Sequence, residues 1–259
     1  MKNLLRWFVV MAAFICFGNF KNFANQTLPT PGADKKLMPA KQLMVVVTHG
    51  WGEIQGRIYC FEKHKKKWLL QFSNPIVVGS KGLGLGVGVV PVSIKNVPIK
   101  KEGDNKSPAG IFTIGTAFGY AGYQEAKWIK NHYVKASDTL ICVDDAHSAN
   151  YNRLVQRDTA KNDYKSHEEM HLKADYYKWG LFINHNSDKI TPGAGSCIFM
   201  HIWGNSKEGT AGCTAMKEQN ILRVLHWIDA AKEPLLVQLP VNEYHQIQAL
   251  YHLPDVNFK

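Results

Sequence analysis

At 259 residues, of which 45% are hydrophobic and 11% aromatic, the chain is long and apolar enough to bury a packed core, and the composition excludes an intrinsically disordered protein. A formal charge of +10 draws it toward an anionic envelope surface or polymer. Nucleic acid is excluded as a partner, because no recognisable binding motif accompanies that charge.

The opening stretch, MKNLLRWFVVMAAFICFGNFKNFANQ, sets Lys2 and Arg6 ahead of twelve uncharged, mostly apolar residues, Trp7 to Gly18. A membrane span needs about 20 such residues, so this length fits the core of a signal peptide ending near Ala24. Export to a periplasm or cell wall follows, with an uncleaved signal anchor as the alternative. Loss of residues 1–24 removes Lys2, Arg6 and Lys21 and no acid, leaving +7. Residues 25–42, with three prolines and a glycine, read as a linker.

Short β-rich runs come next: LMVVVT at 43–48, GRIYCF at 56–61, KWLLQF at 67–72 and PIVVGS at 75–80. Their spacing predicts antiparallel sheet rather than βαβ units, with HKKK at 64–67 as a hairpin end. GLGLGVG at 82–88 imitates a phosphate loop, but Val87 stands where the third glycine belongs and no GK[ST] follows, so it reads as a loop beside a sheet edge. KKEGDNKSPAGIFTIGTAFGY at 100–120 strings turn residues ahead of a strand and lacks the oxygen spacing of a calcium loop. The more polar stretch 121–178 predicts helices at 127–130 and 164–178.

GLFINHN at 180–186 and CIFMHIW at 197–203 read as buried strands separated by TPGAGS. A helix is predicted over 217–232, where Ile221, Leu222, Leu225 and Ile228 recur on one face and Pro234 stops it. LLVQL then closes the ordered part, leaving 241–259 as a tail after a domain at 43–240. The fold class is mainly β with a few helices. Cys60, Cys142, Cys197 and Cys213 show no CxxC pair, which argues against a zinc ribbon and a disulfide framework. A single bridge would best join Cys60 and Cys142.

Three constellations compete for the chemistry. SHEEMH at 166–171 contains a literal HExxH, in which His167 and His171 on one helix face would bind zinc with Glu168 as base. The preceding KNDYKS is polar, Ala174 and Tyr177 replace the glycine and third histidine of the longer motif, and neither His185 nor Glu208 is spaced as a third ligand. A solvated helix face is the better reading. Asp144, Asp145 and His147 follow the strand-like LICV and read as a turn, with a metal site or substrate contact as the alternative.

SCIFMHIWGNSKEGTAGCTAM at 196–216 is the third. On a strand, Phe199, His201 and Trp203 share a face, and the glycine-containing loop lets Cys213 return beside His201. A thiol with an ordinary pKa of about 8.5 becomes a nucleophile when an imidazole takes its proton. Gly212 permits close backbone approach, and amides around Gly212, Cys213 and Thr214 face the oxyanion of a tetrahedral intermediate. The chemistry is acyl transfer or amide hydrolysis through a thioester. Core packing of a lone cysteine and a lone histidine is the alternative.

GTAGCTAM with His201 upstream resembles the L,D-transpeptidase catalytic domain, the YkuD-like family, in its TAGC-type branch. KKEGDNKSPAGIFTIGTAFGY, CVDDAHSANYNRLV and PGAGSCIFMHIW are similar to further segments of that branch in the same order, spanning roughly 43–238. The resemblance implies a β-sandwich with Cys213 as nucleophile and His201 as general base. Peptidoglycan stem peptides would be the substrates and no metal or organic cofactor would be needed. Thr214, His185 and Trp203 are the expected substrate contacts, and the protein is taken as a monomer. Ala211 and Ala215 stand where better-known members carry a histidine and an Asn or Arg. His201 would be oriented by Asn184, Ser206 or a backbone carbonyl. The rivals are an L,D-carboxypeptidase or hydrolase using the same dyad, a non-catalytic wall-binding module, and a zinc peptidase.

Overall fold

The computed structural model of the protein describes residue 37 and residues 39–157 and 162–258. The signal peptide expected at 1–24 and most of the 25–42 linker lie outside them. Strand β1 (Gln42–Thr48) is buried along its whole length because it is paired on both sides, antiparallel to β2 (Gln55–His64) and parallel to β13 (Leu235–Pro240). Its polar end residue is satisfied internally: Gln42 Nε2 donates to Trp227 O and Gln42 Oε1 accepts from Asp229 N–H. β2 and β3 (Lys67–Val77) make a hairpin whose end is the expected HKKK run, with Lys65 at φ 55°.

Two strands turn the corners of the sheet. β5 (Ser107–Gly119) pairs with β13 through Gly110–Thr113 and with β10 (Trp179–Ile183) through its second half. Val77, the last residue of β3, pairs with Ala215 of β12 (Thr214–Met216), which lies beside β11 (Phe199–Ile202), itself paired with β10. The chain of pairings therefore returns on itself, as in sandwiches whose corner strands pass between layers. Short strands β4 (Leu83–Leu85) and β6 (Tyr133–Lys135) flank β5. The GLGLGVG run thus supplies an edge strand and its turn, as expected of a loop beside a sheet.

The polar stretch departs from expectation. Neither 127–130 nor 164–178 is helical; β7 (Leu140–Val143), β8 (Arg153–Gln156) and β9 (His167–Glu169) form a separate small sheet, followed by a 3-10 turn at Asp175–Tyr177. A disulfide between Cys142 and Cys197 ties this sheet to the segment entering β11. The Cys60–Cys142 pairing is wrong for a physical reason: Cys60 is buried in the core of the main sheet, Cys142 in a second core with Phe199, Tyr177 and Cys213.

Helix α1 (Glu218–Trp227) packs Ile221, Val224 and Leu225 inward and is shorter than the predicted 217–232, because Ile228 is already extended and a 3-10 turn at Ala230–Lys232 follows. The ordered part does not close at LLVQL. Helix α2 (Val241–Gln248) buries Tyr244 and Ile247, and the last residues are tied back by Tyr244 Oη to Pro254 O at 2.6 Å and Tyr59 Oη to Asn257 O at 2.9 Å.

Candidate active site

The parallel pairing of β11 with β12 aligns Met200 with Thr214 and His201 with Ala215. Alternation sends Met200 and Ile202 into the main core and leaves Phe199 and His201 on the other face. Cys213, one residue before β12, falls opposite Phe199 and so shares the face of His201. Its Sγ accepts the Phe199 N–H at 3.3 Å and lies 3.8 Å from Cys197 O. Cys213 and His201 are 6% and 8% exposed, and both line a cleft of about 450 Å³.

His201 Nδ1 is 2.7 Å from Ile202 O. A carbonyl only accepts, so Nδ1 carries the proton and Nε2 is left as the basic nitrogen. Of the three orienting groups expected, it is thus a backbone carbonyl that holds the ring; Asn184 Nδ2 donates to Thr113 Oγ1 instead, and Ser206 O accepts from Gln55 Nε2. The Tyr177 ring supports the imidazole edge-on at 5.1 Å. Burial lowers the His201 pKa to about 4, partly opposed by the Ile202 hydrogen bond.

The loop that carries Cys213 is fixed through that residue's carbonyl. Cys213 O accepts from Ser107 Oγ at 2.8 Å and Thr210 Oγ1 at 2.6 Å. Gly212 adopts φ +154°, which favours glycine, and a Cβ there would stand 3.2 Å from Lys106 O. The Gly212 N–H is spent on Thr210 Oγ1, whereas the Cys213 N–H has no acceptor among the described residues and faces no competing bond. Burial pushes the Cys213 thiol well up from its ordinary value; the Glu168 carboxylate pushes the same way, and the Phe199 N–H and the Lys100 ammonium pull it back.

Two expected substrate contacts are placed elsewhere. Thr214 is fully buried and donates to Gln238 Oε1 at 2.7 Å, so its hydroxyl belongs to the interior between sheets. His185 is also fully buried: Nδ1 accepts from Val87 N–H, Nε2 donates to Ala194 O, and burial lowers its pKa to about 4. It staples two loops and does not line the cleft. Trp203 and Gly212 do line it.

The opposite wall comes from the small sheet and the turn after it: Asp144, Glu168, Leu172, Tyr176 and Tyr177, joined by Glu102. HEEMH is a strand, not a solvated helix face. His167 and Glu169 turn to Arg157 and His171 Nδ1 meets Asp138, so the two histidines do not converge. Alternation sends Glu168 the other way, where Oε2 accepts from Tyr177 Oη at 2.9 Å. Burial, with Asp144 and Glu102 nearby, raises the Glu168 pKa to about 7. Asp145 makes the predicted turn by accepting from His147 and Lys165 N–H, while Asp144 Oδ1 is hidden from solvent without a partner among the described residues. Ser107, Thr210 and Tyr177 were given no role from sequence, although Ser107, inside KSPAG, and Thr210, inside GTAGCTAM, sat in segments already marked by the resemblance.

Residues 53–241 match the family description of the L,D-transpeptidase catalytic domain, YkuD. No curated protein matches the chain. Among solved structures, one titled as the structure of Bdellovibrio bacteriovorus Bd1075 is similar at 12% identity and a TM-score of 0.36, over 82% of this chain. The chain spans 55% of the length of that one.

Proposed function

The chain belongs to the L,D-transpeptidase catalytic domain family, and on that premise we propose that it is an exported cysteine L,D-transpeptidase of the TAGC-type branch, acting on peptidoglycan stem peptides. The observation that carries this reading is the parallel β11–β12 pair, through which Cys213 and His201 share one face and line a cleft of about 450 Å³.

The resting groups are a neutral thiol and a neutral imidazole lining the same cleft, since burial raises one pKa and lowers the other. Charge separates only during attack. As Sγ adds to the stem-peptide carbonyl, its proton passes to His201 Nε2, and the Cys213 N–H receives the oxyanion. Collapse of the tetrahedral intermediate expels an amine, which takes the proton from the imidazolium and leaves an acyl thioester on Cys213. An acceptor amine then gives a proton to His201 as it attacks, restoring the thiol. Water in place of the amine makes the same enzyme an L,D-carboxypeptidase or hydrolase. Trp203 remains the proposed contact to the stem peptide, a reading supported by its position on the cleft wall.

Export is supported by the Cys142–Cys197 bridge, which persists in oxidising compartments, and by the leader-like residues 1–24. The positive charge suits an anionic envelope, and a monomer suffices for the chemistry, because both reacting side chains come from one chain. Purified protein incubated with muropeptides tests the reading by mass of the products: cross-linked dimers mark transfer, shortened stems mark hydrolysis. Cys213→Ala abolishes either product and a chelator leaves both intact. Loss of activity to the chelator, with retention in C213A, would establish a zinc peptidase instead, and unaltered muropeptides a wall-binding module.

A further inference from the structure

Lys100 is 4% exposed, and a buried lysine needs strong local compensation. Its Nζ is held by Asp104 Oδ1 at 2.6 Å and Lys101 O at 2.7 Å. An ammonium carries three N–H donors, so one remains without a protein acceptor among the described residues. Lys100 lines the cleft together with Gly212 and Cys213, and Asp104 does not. A Cβ on Gly212 would lie 3.8 Å from Lys100 Nζ, which sets the ammonium beside the backbone that presents the nucleophile.

Asp104 is turned the other way. Although burial opposes it, hydrogen bonds from Lys100, Lys106 N–H and Lys101 N–H hold its carboxyl below the usual range. Asp104 is thus an anchor that leaves the cationic end of the pair toward the cleft.

We propose that Lys100 is a positioning residue for the reaction, its ammonium holding the negative charge that passes from the Cys213 sulfur to the oxyanion. This rests on Cys213 being the nucleophile. The ionisable groups that line the cleft with the sulfur are His201 on β11, Tyr176 and Tyr177 on the 3-10 turn, Glu168 on β9, Lys100 and Glu102 on the loop before β5, Asp144 after β7 and Glu208 on the loop before β12. Of these, Lys100 is the fixed cation, set against Glu168 across the cleft. In a site shielded from water a fixed charge needs no reorganisation as the reaction proceeds.

The test reads the thiol without a peptidoglycan substrate. Wild type, K100M, D104N and K100M/D104N are treated with iodoacetamide across a pH series, without reductant so that the Cys142–Cys197 bridge stays closed. A new Sγ–C bond forms, iodide leaves and the thiol proton goes to solvent; the Cys213 peptide is quantified by mass against that of buried Cys60. One unit of thiol pKa corresponds to about a tenfold change in thiolate fraction. K100M is expected to slow alkylation about tenfold at pH 8 and to displace the profile to higher pH, and D104N, which keeps the cation, is expected not to slow it. The double variant, which leaves no orphaned buried charge, behaves as K100M and carries the test should K100M unfold. A wild-type profile in the double variant, or D104N as slow as K100M, would overturn the proposal in favour of a structural ion pair. Should muropeptides go unprocessed while the Lys100 variants still move the alkylation profile, the functional reading fails and what stands of this inference is that Lys100 holds the charge on the Cys213 sulfur.

Discussion

The two walls of the cleft are built by different physics. The wall that carries Cys213 and His201 is made of β11, β12 and the loop that joins them, inside a sheet whose pairings close on themselves and whose strands are buried by hydrophobic side chains. The acidic wall is a small sheet of strands four, four and three residues long, held by one disulfide and a set of side-chain hydrogen bonds. In the proposed reaction the first wall fixes where bonds are made, and the second sets the electrostatics that the reaction works against.

Removing His201 separates the walls most sharply. His201→Ala is expected to lower turnover of muropeptides by roughly 10²–10⁴-fold, the usual contribution of a general base, with the fold retained, as read by steady-state product mass and circular dichroism. A fall of less than tenfold would move the base to the acidic wall, to Glu168.

Opening the disulfide probes the other side. The bridge spans 55 residues of sequence, and the Cys142→Ala, Cys197→Ala double variant is expected to lose about 4 kcal/mol by loop-closure entropy, measured by urea unfolding. Because Cys197 O also neighbours the Cys213 sulfur, activity is expected to fall as well. Unchanged stability would mean that hydrogen bonds alone hold the small sheet.

The contrast also accounts for what was legible. CIFMHIW and GTAGCTAM could be read because buried strands and a glycine beside a cysteine leave a pattern: alternation grouped His201 with Phe199, and the glycine-containing loop returned Cys213 to that strand. The helix predicted at 164–178 failed because a three-residue strand such as β9 is too short to carry a period, and its polar side chains serve the cleft, a turn and each other. Glu168 had been weighed as the base of HExxH. Its neighbours in sequence pointed to zinc, but the strand alternation separates it from both histidines. Thr214 and His185 were drawn into the site by proximity in sequence, whereas both are polar residues spent on stapling the interior. The stretch 241–259 was read only as a tail beyond the ordered part, yet Tyr244, Ile247 and Tyr251 each reach the core.

Glu168 supplies the next smaller effect. Its pKa is raised from 4.5 to about 7 in the folded protein, so between those values the folded state keeps a proton that the unfolded state has lost. Its stability contribution is full below about 4.5 and is lost as pH rises through about 7, a change of at most about 3 kcal/mol. Glu168→Gln is expected to flatten the fall in unfolding free energy between pH 5 and pH 8. It should also speed alkylation of Cys213 above pH 7, where the ionised carboxylate opposes the thiolate. An unaltered pH dependence would show that Glu168 ionises normally.

The smallest effect belongs to Thr214. Thr214→Val leaves Gln238 Oε1 without its hydroxyl donor, and is expected to cost about 1–3 kcal/mol of stability while activity per folded molecule is kept. A specific rise in KM at full stability would return Thr214 to the substrate site.

The most direct measurement is intact-protein mass spectrometry of the acyl-enzyme, quenched in acid within seconds of mixing with a tetrapeptide stem substrate and followed by peptide mapping. The account predicts an added acyl mass on the peptide that carries Cys213, released by mild thiol or hydroxylamine and missing from the Cys213→Ala variant. Processing of the substrate with no adduct at that residue, or undiminished processing by the variant, would contradict it.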